Sequence, residues 1–335
     1  MTMTFEEATA AHAAGDFEAA ERGYLPFRNS RNGRYNLAVL YRQTHRLEEA
    51  AAAFRLIVDQ YPDLAVARRG LAQALLALGR YEEAWPLNEA LRQAPPTPDP
   101  AADYPEWRSE PLAGLRLTVV SEQGFGDQLM FARYLPLLKA AGAEVTVACD
   151  PRHLARFFEH CGFATAAYLG GDQKLPPADR WIFIGSIPYR LGAGAPPPPA
   201  YWPDSLGAGG GLGVATQGNP AHFNDRNRSM PPAEAGELLR LGRSLAPEST
   251  GALDFLDTAR IVSGLDLVIT VDSAVAHLAG ALGKACWVML PAIGLDWRWN
   301  DGARSDWYPD MRLFRQPAPG DWASVIAQVR AELGA

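Results

Sequence analysis

The 335-residue chain is poor in the residues from which many functional sites are made. It has three cysteines, Cys149, Cys161 and Cys286, set far apart with no C-x-x-C pair. They read as reduced, structural thiols of a cytoplasmic protein. It has three lysines, Lys139, Lys174 and Lys284, so arginine must do most of any anion binding. No run of eighteen apolar residues occurs, so no membrane span is expected. The polar, acidic start MTMTFEEATAAHAAGDFE does not read as a signal peptide, and none is expected. A net charge of −7 and a pI near 5.5 argue against nucleic acid as a partner, which asks for a basic face. D-x-D, G-x-S-x-G, Walker A and H-E-x-x-H are all missing, and the six histidines are scattered. No metal site is expected. No G-x-G-x-x-G follows the first strand, which disfavours an oxidoreductase or epimerase. What remains is ordinary globular composition, 48% hydrophobic and 21% charged, long enough for two or three domains.

The first third carries an internal repeat. Ala72 and Ala84 follow Ala38 and Ala50 by thirty-four residues, and GRYEEA at 79–84 restates the turn and second-helix start of the GDFEAA at 15–20. Small residues let paired helices approach, and aromatic and leucine positions fill the gaps between pairs. Period and pattern resemble tetratricopeptide repeats, with three repeats over residues 1–94 and the first slightly short. Such an array either holds a peptide or partner protein in its groove or braces the domain that follows. Residues 95–114 hold prolines without periodicity and read as an extended linker, with Trp107 as an anchor to the next domain.

From Leu115 onward strands alternate with helices, the pattern of parallel sheets with crossover helices. Strands are expected at 115–121, 144–150, 164–168 and 181–184, with a loop and then a helix over 124–142 and a helix from Pro151 to 162. The proline run at 195–203 separates these from a second α/β unit. That unit has strands at 212–216, 266–271, 286–291 and 312–314, and helices after Pro232, over 254–264, after Ser273 and over 321–333. The glycines between 207 and 213 lack phosphate-loop spacing and read as a hinge. Two Rossmann-like units of this kind leave a cleft beside the carboxyl ends of their strands.

Chemistry-bearing residues fall at those ends. Gly124 and Gly126 permit a tight turn and close backbone approach. Asp127 then stands at a helix N-terminus, either as a cap or as a carboxylate aimed into the cleft, or as both. The loop GNPAHFNDRNRSMPP at 218–232 crowds Asn219, His222, Asn224, Arg226, Asn227 and Arg228 between a strand and a proline-started helix. Its two arginines suit a diphosphate. Asp272, Ser273 and Ala274 end a buried strand at a helix N-terminus, where free N–H groups and the helix dipole attract anions. His277, one turn on, contacts a ligand there or is simply packed. Aromatics at 296–299 and 305–309, among them Trp297 beside Arg298, either stack on a base or sugar or cover the core.

On G-x-G-D at 124–127 and V-D-S-A-x-x-H-L-A-G-A-L-G at 271–283, the C-terminal two-thirds resembles GT-B glycosyltransferases of the lipopolysaccharide heptosyltransferase type. With the repeats, GNPAHFNDRNRSMP and DWRW…WYP, the whole chain resembles bacterial repeat-fused transferases, similar in architecture to O-GlcNAc transferases. The resemblance implies helical repeats followed by a GT-B fold, an acceptor-side domain at 115–205 and a nucleotide-sugar domain at 206–335. It implies metal-independent, inverting transfer from a nucleotide-sugar, with no cofactor and with a protein acceptor at the repeats. Asp127 falls at the position of the general base. Gly124, Gly126, Asn219, His222, Arg226, Arg228, Asp272, Ser273, Ala274, His277, Trp297 and Arg298 form the implied donor site. The segment 240–255 is short against that pattern, and the alternative is a noncatalytic repeat adaptor on a degenerate transferase scaffold.

Overall fold

The computed structural model describes residues 3–90, 104–167, 176–207, 210–299 and 302–334. They form two compact units. One comprises Met1–Thr97, Pro291–Gly302 and Pro317–Gly320, and the other Pro98–Leu290, Ala303–Gln316 and Asp321–Ala335.

The first unit is built on three successive helix pairs: α1 (Phe5–Ala13) with α2 (Phe17–Tyr24), α3 (Arg31–Gln43) with α4 (Leu47–Gln60), and α5 (Ala65–Ala77) with α6 (Tyr81–Ala90). Polar caps fix several starts. Glu7 N–H donates to Thr4 Oγ1 at 3.2 Å while Thr4 N–H donates to Glu7 Oε2 at 2.7 Å, a reciprocal capping box. Asp16 and Ser30 cap α2 and α3. The repeat alanines sit where the helices touch: Ala8, Ala20, Ala38, Ala50, Ala72 and Ala84 are all completely buried. Gly70 serves the same end, since a methyl there would stand 2.3 Å from the Phe54 ring. Each pair turns through a left-handed residue two positions before its second helix. These are Gly15 (φ +83°), His45 (φ +61°) and Gly79 (φ +71°). Two of them are the residue type that adopts this conformation freely. His45 is not, and holds it against a penalty of roughly 1–2 kcal/mol.

The second unit carries two parallel sheets. The first has β1 (Arg116–Val120), β2 (Glu144–Cys149), β3 (Ala164–Ala167) and β4 (Arg180–Phe183) in the order β3-β2-β1-β4. Val119 lies beside Val147 on one side and Ile182 on the other, and all three are fully buried, as strands covered on both faces require. The second has β5 (Leu212–Ala215), β6 (Arg243–Ser244), β7 (Leu267–Val271), β8 (Cys286–Leu290) and β9 (Met311–Arg315) in the order β6-β5-β7-β8-β9. The helices of the first half are α7 (Phe125–Phe131), α8 (Leu135–Ala140), α9 (Ala155–His160) and α10 (Ile187–Arg190). Those of the second are α11 (Asp225–Arg228), α12 (Pro232–Leu239), α13 (Pro247–Thr250), α14 (Phe255–Ser263), α15 (Ala274–Leu282) and α16 (Trp322–Leu333). Val214, Ile269, Met289 and Phe314 from four strands pack with Leu238, Val325 and Ile326 of α12 and α16.

Several sequence expectations change here. The single helix expected within 124–142, after a loop, breaks into α7, a 3-10 turn at Ala132–Tyr134, and α8. Pro136 has no N–H to give the Ala132 carbonyl, which takes the Leu135 N–H instead in the 3-10 turn. The helix expected from Pro151 begins at Ala155, after a turn at 151–154. Residues 95–103 of the expected linker, 91–94 of the repeats, Tyr168 and hinge positions 208–209 lie outside the described residues. The linker's remainder joins the first sheet: Trp107 N–H donates to the Trp181 carbonyl at 2.8 Å, and Trp181 N–H to that of Pro105 at 3.2 Å. Trp107 itself is buried. The proline-rich stretch before β5 is pinned too. Tyr201 and Trp202 N–H both donate to the Ala281 carbonyl, and the Tyr201 hydroxyl donates to that of Leu129. The short segment 240–255 forms only the two-residue edge strand β6 and the single turn α13. Burial pushes the Cys149 and Cys161 thiols up to about 12 and that of Cys286 upward as well, and all three are free.

Candidate active site

Two strand-to-helix corners of the second unit face each other. At the first, β1 ends and the chain turns through Gln123 at φ +64° into Gly124, the N-cap of α7. Asp127 stands at the third position of the helix, half-buried, and its Oδ2 accepts the Gly124 N–H at 3.0 Å. The cap contact therefore occupies one carboxylate oxygen. At the second corner, β7 runs into Asp272 and Ser273. Ser273 is the N-cap of α15, accepts the Val275 N–H at 3.3 Å and lies 3.1 Å from the Thr270 hydroxyl. Asp272 and Ser273 are 9% and 6% exposed.

Gly126 joins the corners. A methyl at this position would stand 2.6 Å from His277 Cδ2, 3.4 Å from Nε2 and 3.5 Å from the Ala274 Cα. α7 and α15 thus pack through a glycine, with the Cδ2–Nε2 edge of His277 over the first turn of α7. Around them Phe125 meets Phe255 (ring centroids 5.5 Å) and His153 (4.9 Å). The Phe255 N–H donates to the His153 carbonyl at 3.0 Å. Arg156 pairs with the Asp254 carboxylate, the cap of α14, at 2.7 Å.

The loop after β5 lies beside the second corner, because β5 and β7 are neighbours in the sheet. Arg228 links them. Its Nη1 donates to the Asp272 carbonyl at 2.9 Å and its Nε to Asp225 Oδ1 at 3.2 Å, with the residue only 9% exposed. Nη1 thus braces the β7 corner, while Nε ties Arg228 to its own loop. Asn219, His222 and Arg226 are exposed. Asn219 Oδ1 accepts the Ala221 N–H at 3.0 Å and His222 Nδ1 accepts that of Asn224 at 3.2 Å, so both side chains shape their own loop.

Trp297 and Arg298 belong to the helical unit. Trp297 meets Trp85 of α6 edge-on at 6.2 Å. Leu295, Asp296 and Trp297 line a pocket with Arg42, His45 and Gln73 of the helix pairs. The Arg298 guanidinium pairs with Asp296 at 2.7 Å and lies 4.5 Å from the Trp297 ring centre. The segment after β8 thus packs on the repeats. Sequence gives no sign of this, because 291–302 carries no repeat pattern of its own.

Two residues without an assigned role stand behind His277. Tyr308 Oη lies 2.7 Å from His277 Nδ1. Its ring presses on Gly280, where a methyl would meet Cε1 at 2.3 Å. The Arg133 guanidinium sits 4.7 Å from the Tyr308 ring centre and donates to the Trp307 carbonyl at 2.9 Å. Trp299, Trp307 and Tyr308 are at most 1% exposed, so they serve as core rather than as open stacking faces. Among the described residues no group of three or more His, Cys, Asp or Glu side chains is placed to hold a metal ion, and no helix is long and apolar enough to cross a membrane.

Helix pairs followed by two parallel α/β sheets, with the glycine-bearing corner of one against the serine-capped corner of the other, define a two-Rossmann protein with an N-terminal helical array. No protein-family model matches the sequence. Among curated proteins the chain is similar to Protein FlbA of Caulobacter vibrioides, 28% identical over 336 aligned positions that take in 81% of this chain. The chain spans about half, 55%, of that relative's length. Among solved structures it is similar to E. coli heptosyltransferase WaaC with ADP, at 13% identity and TM-score 0.41 over 66% of this chain and 98% of that one. It is also similar to a Thermobaculum terrenum O-GlcNAc transferase mutant, K341M, at 14% identity and TM-score 0.25 over 88% and 82% of the two chains.

Proposed function

We propose that the protein is an inverting, metal-independent glycosyltransferase that moves a sugar from a nucleotide-sugar to an acceptor hydroxyl, on a protein held by the helical repeats. The observation that carries this reading is the meeting of the G-x-G-D and D-S-x-x-x-H corners through Gly126 and His277. In this reading the acceptor oxygen attacks the anomeric carbon, the bond from that carbon to the diphosphate oxygen breaks, and the acceptor proton passes to Asp127. Gly124 and Gly126 let the donor approach the backbone. The N–H groups at 272–274, with Ser273 and His277, stabilise charge on the departing diphosphate. Arg228 contributes by bracing the Asp272 carbonyl, and Asn219, His222 and Arg226 offer exposed polar contacts on the loop above. In this scheme Trp297, which meets Trp85 of α6, and its neighbour Arg298 serve the acceptor.

Asp127→Asn tests the scheme. Sugar release from the UDP-, GDP- and ADP-sugars, followed with the purified protein, should fall at least a hundredfold, with nucleotide-induced thermal stabilisation unchanged. Equal turnover in both proteins would remove Asp127 as the base. A second reading, a noncatalytic adaptor, is favoured by the reduction of 240–255 to β6 and α13. It is supported instead if no nucleotide or nucleotide-sugar in the panel raises the Tm.

A further inference from the structure

We infer that Tyr308 is a positioning residue that holds His277 as the Nε2-protonated neutral tautomer, so that His277 serves its ligand as a hydrogen-bond donor and not as a base. The inference rests on the reading of this corner as a diphosphate site, but the tautomer itself does not depend on that reading.

The chemistry of the pair sets the direction of the proton. A phenol is a far stronger acid than the N–H of neutral imidazole, and an imidazole nitrogen is a far stronger base than a phenol oxygen. The favoured bond across 2.7 Å therefore runs from the Tyr308 hydroxyl to Nδ1. The Arg133 guanidinium, 4.7 Å from the ring centre, draws on the ring electrons and strengthens the hydroxyl as a donor. With Nδ1 accepting, the ring proton of the neutral histidine is on Nε2.

The geometry then says where that proton is offered. Three features lock the ring. The Cδ1–Cε1 side of the Tyr308 ring comes close to α15 because Gly280 has no side chain. Its loop is tied down by the Arg133 bond to the Trp307 carbonyl and by the Trp307 N–H bond to Ser305 Oγ at 3.1 Å. The opposite, Cδ2–Nε2 edge of the imidazole lies over Gly126, the middle residue of the G-x-G-D turn. A neutral donor is thus presented at the junction of the two corners, and a fixed tautomer costs no reorganisation when an anion arrives. Because the Nε2 lone pair is not available in this tautomer, the proton-accepting role falls to another group, Asp127 in the proposed scheme.

The test is 15N NMR of the full chain labelled at histidine, with the His277 signals identified by their loss in His277→Gln. Wild type should show a pyridine-like Nδ1 and a pyrrole-like Nε2. Tyr308→Phe, which keeps the ring volume, should give the averaged shifts of two exchanging tautomers and weaken inorganic pyrophosphate about tenfold. In His277→Gln, whose amide donates whatever stands at 308, adding Tyr308→Phe should change pyrophosphate affinity less than twofold. A pyrrole-like Nδ1 in wild type overturns the inference, as does a Tyr308→Phe spectrum identical to wild type. If pyrophosphate binds none of the proteins while the wild-type shifts are as expected, the diphosphate reading fails and the tautomer stands.

Discussion

The two corners that meet at Gly126 solve the same problem in opposite ways. Each must turn a buried parallel strand into a helix and satisfy the first free N–H groups. The β1 corner does so with glycines, a left-handed Gln123 and a carboxylate that reaches back from the helix to its own cap. Its charge stays half-exposed. The β7 corner uses an extended Ser273, buries its polar groups, and relies on a neighbouring arginine to hold the Asp272 carbonyl. One corner keeps a titratable group within reach of water, and the other is a prebuilt set of donors. Proton transfer asks for the first arrangement, and stabilisation of developing charge asks for the second.

Removing the brace should strain this contrast most. Arg228→Ala leaves the Asp272 carbonyl and the Asp225 carboxylate without their guanidinium partner in a mostly buried place, at an expected cost of about 3 kcal/mol in urea unfolding. A loss below about 1 kcal/mol would show that the β7 corner stands without it. Gly126→Ala comes next. Its methyl would overlap His277, and the shift needed should cost about 2 kcal/mol, with the imidazole signals of His277 displaced in the NMR spectrum. Unchanged signals would mean that the corners are not in contact. The smallest effect belongs to the surface of the first sheet. Asp179 accepts from the side chain and N–H of Arg116, which hold its carboxyl down at about 2. A depressed folded value stabilises above the unfolded value near 3.9 and is lost as pH falls toward 2. The small Tm advantage of wild type over Asp179→Asn should therefore be present at neutral pH and gone by about pH 2.

Much of this architecture is legible before any coordinates. The β-strands are short apolar runs between breakers, and the repeat alanines declare themselves by spacing, because both signals are local. Ser273 and Gly124 are readable as helix starts for the same reason. What escapes is tertiary. Arg133 reads as one position on a helix face, yet it becomes the cation over Tyr308. Arg228 reads as a phosphate ligand because of its neighbours in sequence, whereas its position beside β7 commits it to a carbonyl. Tyr308 reads as one aromatic among several, since nothing in sequence places it on Gly280. Trp297 reads as a sheet-edge aromatic, since the departure of 291–302 to the helix pairs has no sequence mark.

That departure has a consequence for the order in which the chain takes shape. Residues 1–90 are synthesised first, but the surface lined by Arg42, His45 and Gln73 receives Asp296 and Trp297 only some two hundred residues later. During translation the repeats wait, with part of their surface uncovered, until most of both sheets has left the ribosome. The helical array is therefore not an appendage that can be cut away or transplanted at residue 94. A chain beginning at residue 104 would carry Trp297 and Trp299 without the helix-pair residues that line a pocket with them, and the array alone would lack the piece of itself encoded after β8.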